Sequence, residues 1–288
     1  SHPPSKERVD ANRRTMMEKG GPGGDLGTDR YQAATAGLKR AAPAYAKHQQ
    51  ALAAANKKDF ATARRLASEA VKLEPREARF HGLLGDLEMA SENPRGALAH
   101  FQKAGQLDPG YFKPMVQAGM TQYQLGNKAA AEPLLTKSMQ LLPTAPGAYY
   151  LGRINEDRGN STEAVKLYKM VAGSKSPLGE EALGRLVRLD LAQNPETYLS
   201  IQPQLDNQGR VWITVGNRTT LPVSNVSLVV GVVDQSGRTV YGPERNGTGS
   251  DVIPGRKAVN LRTSLGPFNT GEVLRYVKWK VESARSAQ

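Results

Sequence analysis

Over the first two thirds of the chain, apolar residues return every three to four positions in Ala- and Leu-rich stretches, the period of amphipathic helices. From about Pro195 the period shortens to two. Tyr198 to Leu205, Arg210 to Val215, Val226 to Val233, Arg238 to Tyr241, Ala258 to Arg262 and Val273 to Val281 read as short strands. Asp206-Asn207-Gln208-Gly209, Asp234-Gln235-Ser236-Gly237 and Pro254-Gly255 supply turns between them. Six or seven antiparallel strands over residues 195–288 predict a small β-sandwich, immunoglobulin-like in outline. Trp212 and Trp279 are expected as its core anchors, with an exposed binding face as the alternative. The sequons at Asn217, Asn225 and Asn246 read as turn and strand chemistry.

The helical part repeats. Pro75, Pro109 and Pro143 stand 34 and 34 residues apart, and Asp59, Asn93, Asn127 and Asn160 stand 34, 34 and 33 apart. Ala63, Ala97, Ala131 and Ala164 keep the same intervals, and Gly85, Gly119 and Gly152 follow at 34 and 33. Several columns holding register through one shared deletion define a repeat array. The Asp/Asn column follows helix-ending chemistry such as Leu125-Gly126 and is placed to cap the next helix. Glycine inside a helix costs about 1 kcal/mol against alanine, which makes sense where a neighbouring helix comes close. Phe101, Leu135 and Tyr168 are placed to fill the space between hairpins. Proline then ends the second helix of each unit. The stretch Leu84-Gly85…Ala97…Phe101…Ala104…Pro109 resembles the tetratricopeptide repeat (TPR), with units at 44–77, 78–111, 112–144 and 145–178. The expected fold is therefore α + β in separate domains. It comprises a TPR-type α-solenoid of antiparallel helix hairpins over 44–178, a capping helix over 179–194 and the sandwich over 195–288.

The TPR resemblance implies a groove lined by the first helix of each hairpin and occupied by a protein or peptide client. His48 and Leu52, Arg79, Asp86, Met89, Lys113, Met120, Tyr123, Tyr149, Tyr150 and Arg153 are the candidate lining. Met adapts its shape and Tyr offers area with a hydroxyl, which suits an extended polypeptide. The competing reading places Leu52, Met89 and Tyr123 in the core between hairpins. His48 and Leu52 stand where the carboxylate clamp of some chaperone-binding TPRs would need Lys and Asn.

At the other end, Ser5 is placed to cap a helix to about Lys19, a Gly-rich linker spans 20–28, and a leading helix spans 29–43. The segment His2-Pro3-Pro4-Ser5-Lys6-Glu7-Arg8-Val9 resembles the stretch that closes the catalytic domain of HtpX-like zinc metallopeptidases, peptidase family M forty-eight. With TPRs following, the nearest likeness is to the periplasmic β-barrel assembly-enhancing protease group. The resemblance implies that residues 1–19 close a peptidase domain lying upstream, that zinc belongs to that parent, and that His2 comes near the metal there. It also implies a periplasmic location and envelope clients or outer-membrane assembly components as partners. The β-rich tail departs from that group, and the segment around Val230 to Val240 resembles small bacterial FxLYD sandwich modules instead. The alternative is an autonomous TPR adaptor without a protease.

Composition narrows the chemistry. The chain has no cysteine and four histidines, none followed by Glu, so no H-E-x-x-H zinc helix is present and no catalytic residue is assigned. A hydrolytic site in the sandwich finds no nucleophile–base pair to support it. The formal charge of +12 suggests an anionic partner, but the excess is spread among acids with no basic run, which argues against nucleic acid. No stretch approaches the roughly 20 apolar residues of a membrane-spanning helix.

Overall fold

The computed structural model describes residues 6–19 and 28–287. His2, with the motif around it, and the linker over 20–27 lie outside the described residues. The chain divides into two compact units, Ser1–Asp108 and Pro109–Gln288.

In the first unit, α1 (Lys6–Glu18) has no buried residue. Helix α2 (Thr28–Asn56) pairs with α3 (Phe60–Leu73), and α4 (Ala78–Ala90) with α5 (Pro94–Leu107). The leading helix expected over 29–43 and the first repeat helix are one continuous helix. Pro43 lies inside α2. Its missing amide removes one intrahelical bond, while the adjoining Ala44 is 1% exposed in a cluster with Ala70 and Phe80, so packing carries the helix past the proline.

In the second unit, α6 (Phe112–Gln124) pairs with α7 (Lys128–Leu141), and α8 (Ala145–Asp157) with α9 (Ser161–Lys169). Helix α10 (Pro177–Asp190) and the short α11 (Pro195–Tyr198) follow. The hairpins of both units have the TPR form anticipated from the 34-residue period. Each repeat glycine lies against the bulky residue of its own hairpin: Gly85 against Phe101, Gly119 against Leu135 and Gly152 against Tyr168. A Cβ on Gly119 would come within 2.6 Å of the Leu135 side chain, and one on Gly152 within 2.7 Å of the Tyr168 ring. The polar column caps only in part. Asp59 accepts from the Thr62 amide and Asn93 from the Gly96 amide, each at 3.1 Å. Asn127 and Asn160 instead donate to the side chains of Gln122 and Asn155 at 3.0 Å, tying the inter-helix turn to the helix before it.

The strands form two three-stranded antiparallel sheets. One has the order β1 (Leu199–Leu205), β2 (Val211–Asn217) and β5 (Ala258–Arg262). The other is ordered β4 (Thr239–Gly247), β3 (Val223–Val233) and β6 (Val277–Ser286). Val211, Ile213 and Val215 are fully buried on β2, as are Leu228 and Val230 on β3. Asn217 is buried too. Its Nδ2 donates to the Leu221 and Ile253 carbonyls, which identifies this sequon as a polar anchor inside the fold.

Two expectations change here. The tryptophans do not anchor the core. Period-two alternation with Val211, Ile213 and Val215 inward turns Trp212 to the outer face of β2, and Trp279 is 39% exposed. Nor do helices and strands part into separate bodies. One apolar core runs from Ala131 and Leu135 through Leu186, Val187 and Leu191 to Leu199, Ile213, Leu228 and Val281, because α10 and α11 bury their apolar sides with the sandwich. The boundary between compact units falls after the second hairpin instead.

Candidate functional site

Four of the candidate groove residues come together on α6 and α8, the first helices of successive hairpins in the second unit. Tyr123 and Tyr150 meet edge to face with ring centroids 5.2 Å apart, and Tyr149 and Tyr150 meet at 5.3 Å and 89°. The Arg153 guanidinium stands 5.5 Å from the Tyr123 ring centroid and 5.9 Å from that of Tyr149, within cation–π range. Helical spacing explains the set: Tyr149 and Arg153 are four residues apart on one face, and Tyr150 is the next position round toward α6.

The four are not equivalent. Tyr149, expected to line the groove, is 2% exposed and so is no part of the surface. Its hydroxyl donates to Glu181 on α10 and accepts from Arg153 at 3.1 Å. Burial first, then the bond to Glu181, pushes its phenol above the ordinary range. Tyr123 is half-buried and donates to Asp157 at 3.2 Å. The ammonium of Lys128 binds the same carboxylate at 2.7 Å and, through that hydrogen bond above all, holds Asp157 below the usual carboxylate range. Tyr150 is half-buried, and its hydroxyl makes no hydrogen bond among the described residues.

Beneath this surface lies a charge network that the repeat columns did not single out. Arg185 on α10 pairs with Glu156 at 2.9 Å, and Glu156 also accepts from the Tyr168 hydroxyl at 2.6 Å. Arg153 and Arg185 each stand 3.6 Å from Glu181. Two guanidinium and two carboxylate groups thus cancel, which makes the network a tie between α8, α9 and α10 rather than an anion trap. Its legible signal was spacing: Tyr123–Asp157 joins residues 34 apart, one repeat on, and Tyr149–Glu181 joins residues 32 apart.

The remaining candidates are dispersed. Met120 is partly buried against the core of the second unit, and Lys113 is exposed at the start of α6. In the first unit His48 is half-buried with its ring 4.9 Å from that of Phe80, and burial lowers its pKa. Arg79 is exposed, while Asp86 and Met89 are half-buried on α4. Leu52 packs against the core of that unit. Among the described residues, no three His, Asp or Glu side chains converge as a metal site would require. No helix among them is long and apolar enough to cross a membrane.

Comparison with known proteins finds no matching family model and no matching curated protein. Solved structures of similar fold include that of MamA, with 21% identity, 51% of this chain and 81% of that chain covered, and a TM-score of 0.46. A second MamA structure has 22% identity, 48% and 80% coverage and a TM-score of 0.43. YrrB, described as a TPR protein with an unusual peptide-binding site, has 17% identity, 56% and 81% coverage and a TM-score of 0.46.

Proposed function

We propose that this chain is a protein-interaction scaffold whose α6–α8 face grips an extended polypeptide through Tyr150, Tyr123 and Arg153. The observation that carries this reading is the state of Tyr150. Its ring is held edge-on to two other tyrosines, and its hydroxyl has no partner within the described residues. A rigid aromatic ring with an open hydroxyl beside a stacked guanidinium offers apolar area and hydrogen bonding at little ordering cost. The test is a photo-crosslinking amino acid at position 150, with Lys137 as a distant control site. Discrete adducts at 150 that vanish in R153A support the reading; equal labelling at both positions, or adducts indifferent to R153A, refutes it.

The finer form of the proposal makes this region the non-catalytic part of a periplasmic zinc metallopeptidase, positioning it on envelope clients or outer-membrane assembly components. The His2-Pro3-Pro4…Arg8-Val9 likeness supports it. In that reading zinc and its H-E-x-x-H helix belong to a preceding part of the natural polypeptide, with His2 near the metal. The alternative is an autonomous TPR adaptor with no associated protease. Immunopurifying the natural polypeptide and measuring its peptide map and zinc content separates the two. Stoichiometric zinc with an H-E-x-x-H peptide supports the protease parent, and a zinc-free polypeptide without one supports the adaptor.

A further inference from the structure

The β-sandwich carries a polar cleft unrelated to the tyrosine face. It encloses about 350 Å³ at one end of the first sheet, where Asp206, Asn207, Gln208 and Arg210 of the β1–β2 turn meet Trp212 and Arg262. Register places Arg262 directly opposite Trp212 on neighbouring strands, and the guanidinium carbon stands 4.9 Å from the indole centroid. A guanidinium held over a ring uses its face and keeps its edge donors available. Arg262 makes no ion pair among the described residues.

Asp206, the one acid of the cleft, is already engaged. Its Oδ1 accepts from the Gln208 and Arg210 amides at 2.8 and 2.9 Å, and its Oδ2 from the Trp212 indole N–H at 3.0 Å. Those bonds fix the turn and clamp the indole beneath Arg262. The cleft therefore holds two arginines against one carboxylate whose oxygens are committed, with the amides of Asn207 and Gln208 at its rim. Its volume lies at the lower end of small-molecule sites, but its lining is polar where such sites are mostly apolar, so a polar occupant fits.

We infer that this cleft binds a small organic anion through an oxyanion group, carboxylate or phosphate, gripped by Arg262 and Arg210. The guanidinium fork matches both oxyanions with paired N–H donors, and Asn207 and Gln208 supply neutral hydrogen bonds to the rest of the molecule.

The test uses the chain's two tryptophans. In a W279F background Trp212 is the sole indole, and its emission reports on the guanidinium above it. Inorganic phosphate and citrate are titrated separately at constant ionic strength, with chloride as the control for general attraction to a basic protein. The expected result is a saturable change with at least one of the two, weakened roughly 10- to 100-fold by R262Q and less by R210Q. Retention of the R262Q melting temperature shows that the fold is intact, and R262K, which keeps charge but loses the fork, falls between. Preference for phosphate or citrate identifies which oxyanion the cleft takes. No saturable response to either, a response matched by chloride, or one unchanged in both R262Q and R210Q overturns the inference.

Discussion

The Tyr198 hydroxyl donates to Asp190 Oδ2 at 2.7 Å, joining the last long helix of the array to the end of α11, the residue just before the first strand. Asn194 donates to the other carboxylate oxygen at 2.8 Å, and Lys169 stands 3.5 Å away. Both partners of the tyrosine–aspartate bond are buried, at 5% and 6% exposure. Burial alone would raise the Asp190 carboxyl, yet the hydrogen bonds from Tyr198 and Asn194 and the charge of Lys169 outweigh it and hold the group below the usual range. A depressed carboxylate contributes stability that is present above its unfolded value of about 3.9 and is lost as pH falls through the lower folded value.

Y198F removes one hydrogen bond to a charged acceptor and is expected to cost about 1.5–3 kcal/mol in denaturant unfolding of the second unit. D190N removes the charge as well. It should also remove part of the acid-induced loss of stability below about pH 4, read as the difference between denaturation midpoints at neutral and acid pH.

Two glycines of α4 behave in opposite ways although both are buried. A Cβ at Gly82 meets nothing within 4 Å, whereas one at Gly85 would run into the Phe101 ring. G82A should be neutral or stabilising by up to about 1 kcal/mol from helix propensity. G85A should destabilise by about 1–3 kcal/mol through overpacking, and F101L should restore part of that loss in the double variant. Thermal melts of the four proteins decide it.

The turn inside each hairpin uses one left-handed residue, and the repeat fills it unevenly. Lys58 and Glu92 have φ of 62° and 57°, while Gly126 and Gly159, one repeat apart in the same column, have φ of 83° and 76°. A side chain in this region costs roughly 1–2 kcal/mol, which glycine escapes, though glycine also loses more chain entropy on folding. K58G and E92G are expected to raise stability by up to about 1 kcal/mol. G126A, with open space around its new methyl, should lower it by about the same amount. Equilibrium unfolding gives all three values.

In the first unit His100 is half-buried with its ring 5.9 Å from that of His81. Burial, then the neighbouring imidazole, lowers its pKa, and Glu88 offsets this only in part. The unfolded chain therefore takes up the proton first as pH falls. Stability is full above the ordinary histidine value of about 6.5 and declines below it through the folded value. The melting temperature of the first unit should fall between pH 7.5 and pH 5.5, and H100Q should flatten that slope. An unchanged slope would assign the effect to other groups.

Hairpins, their 34-residue period and the two-sheet module were legible in the linear order of residues because each depends on local terms. Apolar period selects helix or strand, Gly-Asn pairs and prolines end elements, and the turn column recurs wherever the chain must reverse. Alternation around Val211, Ile213 and Val215 already implied an outward Trp212, against the large apolar area that argues for burying an indole. What emerged only on folding depends on neighbours distant along the chain. Pro43 is carried inside α2 by the packing of Ala44, and Tyr149 is tied through its hydroxyl to Glu181 of α10. Helices and strands merge into one core because α10 lies against the sandwich, and Arg262 becomes a presented cation through its pairing with Trp212 fifty residues earlier. Spacing sets which face a side chain takes, but burial, ion pairing and stacking belong to pairs of surfaces, and those exist only once the chain has brought them together.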